Sequence, residues 1–254
     1  MLMIEHDKGF TLVEILVAMA IGMIMLTAIY VAINTAQKST SGIERKVVAQ
    51  QDVRAALELM AMEIRMASYD PNLNTAIWVD PASTAGTPCF SSSPNPTYKG
   101  IQEATPFNIT IEMDINDNGI IDNTSNNSNE TIKYVYQVLN NSTMQYITRS
   151  TNCGSAQPFL GDDPTSGRPL AVRVINDQNG NGVYDSGTDV PIFRYYDGAG
   201  AEILPANLPA SIPNIRVIEI TLVGETEDVD PASNQRRRMV YSTRVIPRNH
   251  GITQ

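Results

Sequence analysis

Phe10-Thr-Leu-Val-Glu-Ile-Leu-Val-Ala-Met-Ala-Ile-Gly-Met-Ile-Met-Leu-Thr-Ala-Ile-Tyr-Val-Ala-Ile33 decides how the rest of this chain is read. The stretch has no proline and one charge, Glu14. A helix needs about 20 apolar residues to cross a bilayer, so residues 10–33 qualify as a transmembrane span. An ordinary secretory signal has a basic start, a shorter apolar stretch and a small-residue cleavage site after it; here only a tiny polar segment, 1–9, precedes the run. Lys8 is offset by Glu5 and Asp7, and Lys38, Arg45 and Lys46 follow the span. Charge therefore leaves the orientation open.

Helical periodicity continues beyond the span. Ile43, Val47, Val53, Leu57, Met60 and Ile64 recur at helical spacing, with one wider gap at Gln50. Asp52, Arg54, Glu58, Glu63 and Arg65 are expected mostly off that stripe. Asp70-Pro71 is the expected stop, because proline disfavours helix in the residue before it. A helix over 10–68 would be roughly 90 Å long. Ser39-Thr40-Ser41-Gly42 is its expected weak point. Met19, Met23, Met25, Met60, Met62 and Met66 read as adaptable packing residues.

The remainder, 69–254, changes character. Residues 71–106 read as irregular loops rich in Pro, Ser, Thr and Gly, with one tryptophan, Trp78. Period-two alternation then predicts strands over 107–113, 131–138, 144–149, 170–175, 191–196, 215–223 and 239–246. No helical pattern separates them. The fold class expected is α+β: a long N-terminal transmembrane and amphipathic helix packed on a mainly antiparallel sheet or sandwich.

Lys8-Gly9-Phe10-Thr11-Leu12-Val13-Glu14 resembles the cleavage and methylation motif of type IV prepilins and type II secretion pseudopilins. The resemblance implies a leader over 1–9, cut after Gly9 by a prepilin peptidase that then methylates the amino group of Phe10. It implies that Glu14 is an assembly contact, pairing with the amino terminus of a neighbouring pilin. A carboxylate in a bilayer costs about 2.5–3.5 kcal/mol on insertion scales, and pairing fixes axial register. The bland alternative is a glutamate snorkelling to the interface. The strand order and the ending Ser242-Thr-Arg-Val-Ile-Pro-Arg-Asn249 resemble the PilW-type minor pilins and the J-type minor pseudopilins.

Asp114-Ile-Asn116-Asp-Asn118-Gly119-Ile120-Ile-Asp122 and Asp177-Gln-Asn179-Gly-Asn181-Gly182-Val183-Tyr-Asp185 place oxygen side chains at positions 1, 3, 5 and 9 and glycine at 6. That is the opening of an EF-hand-type loop, with the carbonyls of Ile120 and Val183 at position 7. Neither loop has the closing glutamate. Position 12 is Ser125 in one and Thr188 in the other; Asp189 is placed to close the second, and Glu130 or Asp117 the first. A structural calcium ion is the expected cofactor. Asn-Gly is a turn signal in its own right, so a plain surface hairpin is the alternative.

The formal charge of −9 and the short basic cluster Arg236-Arg237-Arg238, read as a solvated turn, argue against nucleic-acid partners. Cys89 and Cys153 form one disulfide or remain two thiols; spacing does not decide. No G-x-S-x-G, P-loop, H-E-x-x-H or dinucleotide signature is present, and the carboxylates that a paired-acid hydrolase would need cluster in turn-like loops. His6 and His250, in the leader and the tail, are poorly placed as bases. The expected protein is no enzyme. It is a minor type IV pilin anchored in the bacterial cytoplasmic membrane with its β-rich part outside, partnered by other pilins. A minor pseudopilin and a membrane-anchored calcium-dependent adhesion module are the alternatives.

Overall fold

The computed structural model describes residues 9–74, 77–78, 96–121, 129–139, 144–164, 168–169, 172–227, 229–230 and 234–251. Residues 1–8 of the expected 1–9 leader, Cys89, Asp122 and Ser125 lie outside them.

One helix, α1 (Leu12–Arg65), runs 54 residues, about 80 Å. It starts at Thr11, whose side chain accepts from the Glu14 backbone N–H while the Glu14 side chain accepts from the Thr11 N–H. This capping box satisfies two donors that a helix start leaves open. α1 ends at Met66, short of the expected stop, because Ser68 takes a left-handed φ of 63°. No break occurs at Ser39–Gly42. Thr40 and Ser41 donate their hydroxyls to the carbonyls of Ala36 and Lys38, so these polar side chains bond within the helix and do not open it.

Eleven strands follow among the described residues: β1 (Ile101–Ala104), β2 (Asn108–Glu112), β3 (Thr131–Leu139), β4 (Met144–Thr151), β5 (Gln157–Asp163), β6 (Arg168–Pro169), β7 (Val172–Val174), β8 (Phe193–Tyr196), β9 (Glu202–Ile203), β10 (Val217–Thr226) and β11 (Arg238–Val245). The first six form an antiparallel meander in chain order. The second sheet runs β11-β10-β8-β9, with β7 also paired to β10. A single-turn helix, α2 (Leu208–Ser211), leads into β10. The α+β layout is as the sequence predicts.

Four strands lie outside the expected ranges: β1, β5 and the two-residue β6 and β9, which are too short to show any period. β1 lies in the stretch read as loop; its four residues are too few to show alternation, and its identity comes from pairing with β2 across a register shift. β5 holds Pro158 and Gly161, which argue against a strand. A bulge between Ile147 and Thr148 absorbs the mismatch, and Gly161, at φ 105°, lets the Gln145 carbonyl approach where a Cβ would sit 2.6 Å away.

The second half of α1 is the spine of the core. Ala49, Val53, Ala56, Leu57, Met60, Ala61 and Ile64 are buried, facing β10, β11 and, less extensively, β5 and β7. Phe107, Ile109, Tyr134, Phe193, Ile218 and Ile220 belong to the same cluster. Trp78 is buried in a smaller cluster with Ile77 and Ile121.

Candidate functional site

The N-terminal half of α1 has no cover. Phe10 is 86% and Leu12 76% exposed, and the large apolar side chains remain exposed up to Val48. By length and composition α1 is able to cross a membrane, and the most apolar part of it has no buried residue. Apolar exposure on this scale is far beyond a soluble monomer's ordinary patches.

Glu14 lies in the first turn of this bare helix. Its Oε2 accepts from the Thr11 backbone N–H at 2.9 Å and from the Thr11 hydroxyl at 3.0 Å. The glutamate therefore caps its own helix. Thr-x-x-Glu is a readable cap signature, and Thr11 is the residue that the sequence reading passed over.

The family model described as the prokaryotic N-terminal methylation motif matches residues 6–30. The chain carries the prepilin methylation motif. The match supports a type IV pilin-like or pseudopilin-like protein, and it implies processing by prepilin peptidase and assembly with other pilins in a membrane. The families bearing this motif are structural and usually not enzymes. No curated protein and no solved structure matches the chain. With the bare helix, the motif fits membrane anchoring.

The two Asp/Asn loops of this prepilin-like chain fold alike. Asp177, buried, accepts from the Gly180 and Gly182 N–H groups at 2.6 and 2.7 Å. Asp114, also buried, accepts from the Asn118 and Gly119 N–H groups at 3.2 and 2.9 Å. Asn179 and Asn181 accept from the N–H groups of Asn181 and Val183; Asn116 and Asn118 accept from those of Asn118 and Ile120. Asp189 closes the second loop by accepting from Gln178 and Asp185 N–H groups, and Glu130 spans the first from Ile115 and Asn116. Asp117 turns away to accept from Asn72.

The side-chain amides of Asn179 and Asn181 donate to Asp185 at 2.6 and 2.7 Å. Their nitrogens, rather than their oxygens, face that carboxylate. Among the described residues no three His, Cys, Asp or Glu side chains converge as a ligand set.

Two buried polar joints were invisible in the sequence. Glu63, read as lying off the apolar stripe, is buried. It accepts from the Tyr134 hydroxyl and from Arg149 Nε and Nη2, the last at 2.6 Å. Its partners come from β3 and β4, far away in sequence. Burial, and then the Glu63 charge, push the Tyr134 hydroxyl well above its usual range.

His250, read as a tail residue, is also buried. Its Nε2 lies 2.8 Å from the Ile212 carbonyl and its Nδ1 2.9 Å from Ser68 Oγ. A carbonyl only accepts, so Nε2 carries the proton and Ser68 donates to Nδ1. Gly100 N–H donates to the same Oγ at 3.0 Å. Burial, followed by the nearby Arg216 and Lys99 charges, lowers the imidazole to about 4, against the favourable Ile212 bond. The pair ties the chain's end to the end of α1.

In the basic cluster, Arg237 is fixed to Asp230 and Arg238 begins β11. Cys153 is disulfide-bonded.

Proposed function

We propose that this chain is a minor type IV pilin, a membrane-anchored subunit that helps to start or cap a pilus. The observation that carries it is the division of α1. From Ala49 one face of the helix is buried in the head, while before it the apolar residues stand open all round. Lipid covers such a surface before assembly, and other helices of the same kind cover it afterwards. A head of two sheets with long connecting loops suits a priming or tip subunit better than a repeating one. A minor pseudopilin would share the whole anchor. Deletion of the gene should remove pili and leave type II secretion intact; the reverse result would select the pseudopilin.

Glu14 sets axial register by pairing with the Phe10 amino group of a neighbour. Its capping role makes Glu14→Ala ambiguous, since the cap alone is worth about 1 kcal/mol. Glu14→Gln separates the two, because glutamine serves the capping box as glutamate does. E14Q subunits should be inserted and cleaved, with methylated Phe10 found by mass spectrometry, yet fail to enter filaments. Thr11→Ala should lose the cap and still assemble. Normal incorporation of E14Q would end the register mechanism; an intact Met1 in cells holding the peptidase would end the pilin reading.

A structural calcium ion in the 177–189 loop belongs to this reading. The shared fold of both loops supports it. Asp177, Asn179, Asn181, Asp185 and Asp189 with the Val183 carbonyl would hold the ion, once the asparagine amides turn their oxygens inward. Asp114, Asn116, Asn118 and Ile120, with Asp122 outside the described residues, form the weaker counterpart. Calorimetry should find a dissociation constant of about 10⁻⁴–10⁻³ M, the range of extracellular modules. Asp177→Ala should remove the binding heat; an unchanged titration would reject the site.

A further inference from the structure

We propose that the notch between α1 and the β10–β11 hairpin holds the headgroup of an anionic phospholipid from the leaflet that the head faces. This inference rests on residues 10–33 spanning the membrane. The notch has a volume of about 460 Å³. Lys38, Gly42, Ile43 and Lys46 line it from the helix, and Asp230 and Arg237 from the hairpin. Lys38, Gly42 and Lys46 follow at four-residue spacing and so share one helix face.

Charge selects the ligand. Three cations meet one carboxylate here, in a chain whose formal charge is −9. Asp230 is committed to Arg237 at 2.8 Å. Among the described residues neither the Lys38 nor the Lys46 ammonium has an ion-pair partner. Both lysines are exposed, and Ile43 beside them is 60% exposed. Cationic walls with an apolar flank match a phosphodiester joined to its glycerol and acyl chains.

Height selects the source. The apolar run closes at Ile33, and Lys38 lies five residues on, about 7–8 Å along the axis. The headgroup layer on each side of a bilayer is about 5–8 Å thick. Lys38 therefore stands at phosphate level, with the notch opening outward from it towards Lys46. Thr35, which also lines the notch, lies two residues beyond the span.

The test uses the full chain reconstituted in nanodiscs of phosphatidylcholine and phosphatidylglycerol, with retained lipid counted after exchange into detergent. Phosphatidylglycerol should be retained over phosphatidylcholine by about 30-fold, the order expected for two cations near an anionic surface. Lys38→Gln with Lys46→Gln should bring the ratio to parity, and arginine at both positions should keep it. Gly42→Leu is the steric counterpart: a Cβ there meets nothing within 4 Å, so leucine fills the notch without disturbing the fold or the charge. It too should abolish the preference. Equal retention by the unaltered chain would overturn the inference and leave the anchor standing. So would a preference that survives both the glutamine pair and G42L. Displacement of phosphatidylglycerol by millimolar inorganic phosphate would replace the lipid by a free anion and refute the assignment. A chain that enters neither lipid would overturn the anchor and this inference together.

Discussion

His250 should make the head's stability fall steeply between neutral pH and pH 4. In the fold the ring is neutral, with Nε2–H on the Ile212 carbonyl and Nδ1 accepting from Ser68. Adding a proton puts a charge in a buried space beside Arg216 and Lys99 and turns Nδ1 into a donor facing a donor. The imidazole value drops from 6.5 to about 4. Between those values the unfolded chain binds the proton and the folded chain does not. The native state is therefore favoured at higher pH, and the advantage, complete above 6.5, is lost as pH falls towards 4. At 1.36 kcal/mol per unit, the loss is about 3 kcal/mol. Urea unfolding of the full chain in detergent, followed at several pH values, measures it. Subtracting the same curve for His250→Gln isolates the histidine. The difference should grow by about 3 kcal/mol from pH 4 to pH 7. A difference that stays flat would refute the reasoning, as would a ring resonance in the folded protein titrating near 6.5.

Glu63→Ala should cost about 1–3 kcal/mol in the same unfolding assay, because it leaves the buried Tyr134 hydroxyl and the half-buried Arg149 guanidinium without their partner. Replacing all three by apolar residues of similar volume should recover most of that loss. Gly224→Ala should destabilise by about 1–3 kcal/mol: the new Cβ would lie 2.9 Å from Val172 Cγ2 and 3.1 Å from Val53 Cγ2, pressing α1 off β10. Val53→Ala in the same chain should relieve part of the strain. Reducing the disulfide at Cys153 should lower the urea midpoint, by about 2–5 kcal/mol in stability, with little change in a Cys153→Ser variant.

The anchor and the strands with strong alternation were legible because they are local. A run of apolar residues with one acid reports its solvent by composition alone. Strands such as β3 and β10 report their buried faces by period two. The cap at Thr11 was legible as well, in the Thr-x-x-Glu spacing. The short and irregular strands were not. β1 is too brief to show a period, and β5 carries the proline and glycine that normally exclude a strand. A bulge in its partner β4 makes room for them, and that partner lies elsewhere in the chain.

Sequence alone determined that the first helix would be apolar, that it would carry a lone acid, and that a β-rich head would follow. Those properties depend on residue type and spacing, which the chain states openly. Tertiary structure decided which polar residues go inside. Glu63 looked like a surface charge until Arg149 and Tyr134 reached it from the meander, and His250 looked like a loose tail until Ser68 and Ile212 closed around it. A buried charge or ring is tolerable only with partners, and partners supplied from distant strands are fixed by the packing of the whole head.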